Sequence, residues 1–341
     1  MKILVTGGTG YIGAHTVVEL QQNGYDVVII DNLSNSYPEV IQSIQKITGI
    51  LPAFEKIEMC DKAQLNDFFK RNQDIDGVIH FAAFKAVGES TLFPLKYYHN
   101  NLFSLVNLLS SMQDNKIKSL VFSSSCTVYG QPDKLPVDEN SPVQTASSPY
   151  GETKQISEKI ISSQIAVSDL NAILLRYFNP IGAHESALIG EFPIGIPSNL
   201  VPFITQTAIG KRECLNVFGN DYDTPDGTCI RDYIYVVDLA KAHVKALNRL
   251  LGQQQENKCE IFNLGTGRGN SVMEAIKSFE LVSGKKLNYK IAPRRDGDVA
   301  KIWADCTLAN KKLGWIAEKN LDEMMLSAWN WEKHLAENFK K

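Results

Sequence analysis

The sequence predicts an α/β fold: a doubly wound parallel sheet with a smaller C-terminal α/β lobe. Three observations carry that prediction. Short continuous apolar runs alternate with amphipathic stretches through the first half, a glycine-rich turn joins the first run to the first stretch, and the composition changes after Tyr177. Continuous apolar runs suit strands buried on both faces, and strands that alternate with helices connect as parallel crossovers.

Lys2–Thr6 is the first apolar run, and residues 11–23 make the first amphipathic stretch. Gly24 would stop that helix, because glycine enters the left-handed region without a Cβ penalty. Residues 26–30 form a second strand ending at Asp31, and further strands fall at 77–81, 119–123 and 172–177. Helices are expected at 63–71, 102–114 and 150–166. Beyond Tyr177, residues 179–199 are rich in Gly, Pro and small side chains, and 219–227 and 294–298 are rich in Gly and Asp. Between these stretches, residues 233–248 read as a strand then a helix, and 260–264 as another buried strand. The expected division is therefore residues 1–178, with return segments near 230–264, and residues 179–341 for the smaller lobe.

The 341 residues carry 35 Lys and Arg against 38 Asp and Glu, a net charge of −3, with 44% hydrophobic residues. A chain of this length buries about three quarters of its unfolded surface and needs no disulfide or metal staple. The near-neutral balance gives no electrostatic footprint for nucleic acid or an anionic membrane. No apolar run approaches the ~18 residues of a membrane span. The opening residues reach Gly7 and Gly8 too early for the apolar region of a signal peptide. Six cysteines (Cys60, Cys126, Cys214, Cys229, Cys259 and Cys306) include no Cys-x-x-Cys pair. That argues against zinc or a disulfide framework and fits a reducing cytoplasm.

The turn Gly7-Gly8-Thr9-Gly10-Tyr11-Ile12-Gly13 lies between the first strand and the first helix. Gly7, Gly10 and Gly13 stand where a dinucleotide fold needs a tight turn, bare backbone beside the pyrophosphate, and close helix–sheet packing. The helix N-terminus adds roughly half a positive charge toward the phosphates. Asp31, at the next strand end, can accept hydrogen bonds from the adenosine ribose and would repel a 2′-phosphate, which favours NAD over NADP. A turn-forming role before Asn32 is the plainer reading of the same residue. A second glycine run, Gly265-Thr266-Gly267-Arg268-Gly269, reads instead as the approach to a helix opened by a Ser271…Glu274 capping box.

Ser123-Ser124-Ser125 end an apolar strand, and Tyr150 and Lys154 follow four residues apart, on one helix face. A phenol with a pKa near 10 is a poor base at neutral pH. An adjacent ammonium and a cationic nicotinamide would both favour phenolate, each unit of lowering being worth about 1.4 kcal/mol. A strand-end serine would hold the reacting oxygen beside that phenol.

With the glycine cradle upstream, this Ser–Tyr–Lys set resembles the short-chain dehydrogenase/reductase superfamily, whose nucleotide half is a Rossmann fold. The length and second lobe point to its extended, nucleotide-sugar-modifying branch. The segments 31–36 (DNLSNS), 78–90 (VIHFAAFKAVGES), 175–180 (LRYFNP), 227–233 (GTCIRDY) and 303–305 (WAD) look like the UDP-glucose 4-epimerase family. That resemblance runs from Met1 to about Trp331. It implies a cytoplasmic homodimer that interconverts UDP-glucose and UDP-galactose by NAD-dependent C4 epimerisation, through a transient 4-keto sugar.

The resemblance also implies site residues. Tyr150 would be the base, Lys154 its electrostatic partner and Ser125 the hydroxyl anchor. Gly7, Gly10, Tyr11, Ile12, Gly13, Asp31, Asn32, Leu33, Ser34, Asn35, Ser36, Asp61, Lys62, Phe81, Ala82, Ala83, Phe84, Lys85, Asn100, Ser123 and Phe178 would surround NAD with Tyr150 and Lys154. The UDP-sugar would meet Lys85, Ser125, Tyr150, Tyr177, Asn179, Asn199, Leu200, Asn216, Val217, Phe218, Arg231, Tyr233, Arg295, Asp298 and Ile302. Arginine suits a diphosphate because its planar fork pairs bidentately with phosphate oxygens.

Plainer roles compete at some positions: His80 as a packed strand-end residue, Glu152 as a solvated helix position, Lys85 as a surface cation. Dehydratase chemistry needs an acid pair after the strand-end hydroxyl, and Ser125-Cys126-Thr127-Val128-Tyr129 carries no carboxylate. A uronate epimerase or decarboxylase stays open as an alternative, with no extra cation placed to support it. Ile302 stands where hexose-only members often have Tyr, which would leave room for a 2-acetamido group and a dual-specificity epimerase. The alternative from another class is a non-catalytic NAD-sensing module.

Overall fold

The strands divide their side chains between two apolar clusters, and that division builds the layers. Ile3 and Val5, Val27 and Ile29, Ile173 and Leu175 face one cluster. Leu4, Val28 and Ile30, Ala172 and Leu174 face the other. Alternation with period two sends neighbouring residues to opposite faces, so a continuously apolar strand requires a helical layer on each side.

In the computed structural model, which describes residues 1–295 and 297–338, the first half alternates strands and helices as far as its fourth strand. It comprises β1 (Lys2–Thr6), α1 (Tyr11–Gln22), β2 (Asp26–Asp31), α2 (Glu39–Thr48), β3 (Ala53–Lys56), α3 (Lys62–Arg71) and β4 (Ile75–His80). Then come α4 (Val87–Leu92), α5 (Pro94–Asp114), β5 (Ser119–Ser123), a 3₁₀ turn at Cys126–Tyr129, α6 (Pro149–Ala166) and β6 (Asn171–Tyr177). Asp296, inside the expected 294–298 stretch, and residues 339–341 of the expected lobe lie outside the described residues.

The second half contains β7 (Asn179–Ile181), α7 (Leu200–Ala208), β8 (Leu215–Phe218), β9 (Ile230–Arg231), β10 (Tyr233–Tyr235), α8 (Val236–Leu251) and β11 (Cys259–Leu264). It closes with β12 (Asn270–Ser271), α9 (Val272–Ser283), β13 (Tyr289–Ala292), β14 (Lys301–Ile302), α10 (Thr307–Lys312) and α11 (Leu321–Asn338). The main sheet has the order β3-β2-β1-β4-β5-β6-β11. Its pairings are parallel throughout. The doubly wound sheet is thus the one expected, with β11 returning late to its edge.

Residues of α1 and α8 (Val17, Val18, Leu239, Leu247) cover one face. Residues of α3, α5 and α6 (Leu65, Leu105, Leu108, Ile161) cover the other. The smaller lobe contributes short pairs, β7 with β10 and β8 with β13, and a three-stranded set β12-β9-β14. α11 lies against α9 and α7.

The sequence reading placed none of α2, α4, α7, α10 and α11, and α5 and β3 differ from it for local reasons. α5 begins at Pro94, eight residues before the expected 102, with Pro at its first position where no backbone donor is needed. β3 escaped notice because it is an edge strand, Ala-Phe-Glu-Lys, with no buried residue to make an apolar run.

Candidate active site

The carboxyl ends of β1, β2, β3, β4 and β6 open into a cavity of about 690 Å³ that reaches into the smaller lobe. At its floor the glycine turn is as tight as the spacing suggested. Gly7 has φ +71°, and a Cβ there would lie 2.8 Å from the Ala82 amide nitrogen. A Cβ on Gly13 would lie 2.2 Å from the Gly7 carbonyl oxygen. No side chain caps the N-terminus of α1, which starts at this turn. Bare backbone and uncapped amides at one helix end fit a dinucleotide pyrophosphate.

Asp31 plays its turn role and faces the cavity as well. Its Oδ1 accepts from the Leu33 amide at 2.9 Å and from Ser36 Oγ at 3.3 Å, and its Oδ2 from the Thr9 amide at 3.3 Å. Gly10, Tyr11, Ile12, Asn32, Ser34, Asn35, Phe81, Ala82, Ala83, Phe84, Lys85 and Asn100 line the same cavity. Asp61 instead caps α3 by accepting from the Ala63 and Gln64 amides, and Lys62 is exposed at that helix start.

α6 is capped by Ser148, which accepts from the Gly151 amide at 3.2 Å. Its buried face stacks Tyr150, Lys154 and Glu158 at four-residue intervals. Lys154 Nζ donates to the Ser123 carbonyl at 2.6 Å and sits 6.0 Å from the Tyr150 ring centroid. Ser123 Oγ donates to Tyr177 OH at 2.9 Å.

Burial sets the acid–base character of this chain on its own. It pushes the Tyr150 phenol well above 10, the neighbouring Tyr177 adds to the rise, and the Ser125 hydroxyl opposes it. Burial also lowers the Lys154 ammonium to about 8, against the attraction of Glu158. The ammonium alone therefore does not make a phenolate here, because removing the phenol from water outweighs a cation at that separation.

His80 is packed as the plainer reading held. It is 2% exposed, its Nδ1 hydrogen-bonds with Thr6 Oγ1 at 2.7 Å, and burial lowers its pKa to about 3. Glu152 is exposed and accepts from Tyr98 OH.

At the far end Asn216, Phe218 and Arg295 line the cavity with Tyr177. Arg295 lies 4.9 Å from the Phe218 ring centroid and pairs with Asp298 at 2.9 Å. Asp298 is also 3.7 Å from Arg231 Nη2, so one carboxylate holds two guanidinium groups. Ser125 is buried and accepts from the Thr127 amide, while Asn179 and Tyr233 pair across β7 and β10. Leu200 opens α7 and Val217 is in the main core. Phe178 and Ile302 pack with Cys126 and Val128 in a small cluster rather than along the cavity wall.

The second glycine run encloses a carboxylate of the chain itself. Asp232, fully buried, accepts from the Thr266 amide at 2.7 Å, the Gly267 amide at 3.1 Å and the Ala304 amide at 3.1 Å. The Ser271–Glu274 capping box follows it.

Sequence reasoning passed over the wall formed by residues 190–198. Gly190, Glu191, Phe192, Pro193, Ile194, Ile196, Pro197 and Ser198 line the cavity. Phe192 stacks on Tyr37 at 4.3 Å. The segment has no helical or strand period, and its Gly/Pro content was the one available signal.

A family model described as GDP-mannose 4,6 dehydratase matches residues 4–327. The UDP-glucose 4-epimerase of Bos taurus is 50% identical over 345 aligned residues, which cover 99% of this chain and 98% of that protein. The one from Bacillus subtilis (strain 168) is 49% identical, with 100% and 99% covered. The crystal structure of the Stenotrophomonas maltophila UDP-glucose-4-epimerase, with bound NAD and formylated UDP-arabinopyranose, matches with a TM-score of 0.94 at 47% identity, covering 99% of both chains. The Bifidobacterium longum enzyme in complex with NAD+ and UDP gives 0.94 at 45%, again covering 99% of both. The glycine cradle, the Tyr150–Lys154 face and this near-complete similarity together place the chain in the UDP-glucose 4-epimerase family.

Proposed function

We infer that this chain interconverts UDP-glucose and UDP-galactose by NAD-dependent epimerisation at C4, through a transient 4-keto sugar. The observation that carries this reading is one cavity bounded by the glycine cradle, by Tyr150 and Lys154, and by Asn216, Phe218 and Arg295. Relatives of the same name at about half identity over the full chain support it.

NAD, held by the glycine turn, Asp31 and Phe81–Lys85, supplies when bound a hydride acceptor and then a hydride donor for C4. The chain's own residues manage the proton and the sugar. As the phenolate, Tyr150 Oη would take the proton of the 4-hydroxyl and later return it to the same oxygen, the inversion lying in the face of C4 that hydride re-enters. A cationic ligand beside the phenol would add to the Lys154 ammonium, which the Ser123 carbonyl holds in place, and the two together offset the burial of the phenol. Ser125 anchors the sugar oxygen. Arg231 and Arg295 grip the diphosphate while Asp298 keeps the two guanidinium groups together. Holding the sugar mainly by its nucleotide leaves the hexose free to turn its other face.

Residues 125–129 hold no carboxylate, so the site lacks the acid pair of a dehydratase. Ile302 is buried away from the cavity wall, and the hexose reading is the one put forward. Incubating the protein with UDP-galactose and, separately, UDP-N-acetylgalactosamine tests both points. UDP-glucose formation from the first is expected, and its absence sinks the proposal.

We also propose that residues 1–178, with the return segments near 230–264, serve the cofactor and residues 179–341 the sugar nucleotide. The placement of β11 in the main sheet supports that division. No helix among the described residues is long and apolar enough to cross a membrane, and the cytoplasm is the proposed location. The proposed assembly is a homodimer. Leu95, Phe103 and Val106 are exposed on one face of α5, beside exposed Leu92 and Phe93. An apolar patch of this kind marks an interaction surface. Replacing Leu95 and Phe103 by Glu should halve the mass seen in sedimentation.

A further inference from the structure

Glu191 is a carboxylate in the cavity wall that the mechanism above does not use. Its Oε1 accepts from Lys85 Nζ at 2.9 Å and from Asn199 Nδ2 at 2.5 Å. The side chain is 13% exposed. Lys85 lies on the cofactor side, its Nζ 5.5 Å from the Tyr11 ring centroid. Asn199 stands at the start of α7, where its side chain does not cap the helix and is spent on Glu191 instead.

The scaffold fixes where this carboxylate points. The Glu191 carbonyl accepts from Trp331 Nε1 at 3.0 Å. Gly190 is pressed so closely on Trp331 that a Cβ would come within 2.5 Å of the indole, and Gly190 also bridges to Ala183.

An anion in a cavity that takes two diphosphates is electrostatically adverse. Its presence is explained if it orders the groups that meet those ligands, since a charge-assisted hydrogen bond fixes geometry as well as adding energy. We propose that Glu191 is a positioning residue that ties Lys85 on the cofactor side to Asn199 on the sugar-nucleotide side through one shared oxygen. Filling one end then presets the other. The proposal rests on the epimerase reading of the site.

The test uses UDP, which fills the sugar-nucleotide end without reacting. By calorimetry on the cofactor-loaded protein, Glu191→Ala should weaken UDP binding about tenfold. Glu191→Gln, whose amide oxygen still accepts from both partners, should stay within about threefold of wild type. In an Asn199→Ala background the Glu191→Ala change should add less than about twofold, because interacting residues are not additive. UDP should also slow the loss of bound NADH from wild type and do so much less in Glu191→Ala. Unchanged UDP binding in Glu191→Ala, a Gln variant as weak as Ala, additivity with Asn199→Ala, or equal slowing of NADH loss each overturns the proposal. A wild-type chain that converts no UDP-galactose defeats the proposed function instead, a separate outcome from any of these.

Discussion

Tyr150 earns its place as the proposed base from its neighbours rather than from its own acidity. Burial raises its pKa well above 10 while the Ser125 hydroxyl opposes the rise, so the phenol awaits a ligand that adds positive charge. Replacing it by Phe keeps the ring and removes the proton carrier. Tyr150→Phe should lower kcat about 10²–10⁴-fold, the usual worth of a positioned acid–base group, while calorimetry shows UDP binding unchanged. Near-normal turnover would remove Tyr150 from its role. Tyr150 and Lys154 were legible in the sequence because one helix turn brings them together. Glu191 was not, because its partner Lys85 is 106 residues away and its loop has no period to read.

At the scale of elements, two glycine turns can be told apart by what they enclose. In the first, a Cβ on Gly13 would strike the Gly7 carbonyl at 2.2 Å. Gly13→Ala must therefore displace α1 from the turn, at a cost of about 1–3 kcal/mol of stability by urea denaturation. It should also release NAD on gel filtration. In the second turn, Asp232 satisfies the amides of Thr266, Gly267 and Ala304. Asp232→Ala strands those donors, and a loss of about 2–5 kcal/mol is expected in the same measurement. Strands with apolar runs and helices with a clear stop were readable in advance, as β1, β5 and α1 show. β3 and the first two turns of α5 were not. The former is an unburied edge, and the latter carries exposed Leu95 on the face proposed for a partner.

Part of the whole molecule's response to acid lies in three buried histidines. His15, His80 and His243 are held to about 3, 3 and 4 by burial. Each is neutral when folded and protonated when unfolded between those values and its ordinary pKa of 6.5. The unfolded chain binds the extra proton there, so stability rises with pH across that window and is lost as pH falls. His243, whose Nδ1 bonds the Leu239 carbonyl at 2.9 Å, is the cleanest to remove. Between pH 6.5 and about 4, wild type should lose stability faster than His243→Phe by about 1.4 kcal/mol per pH unit. Parallel slopes in urea melts would discard His243 as a contributor.

The plugged second turn also bears on stoichiometry. A glycine turn of this kind is a socket for a compact anion, and the chain fills one of its two sockets with Asp232. Counting glycine motifs would allot two nucleotides of the dinucleotide class to each chain. Counting open sockets allots one, and the absorbance of cofactor released per mole of denatured protein should return that single equivalent.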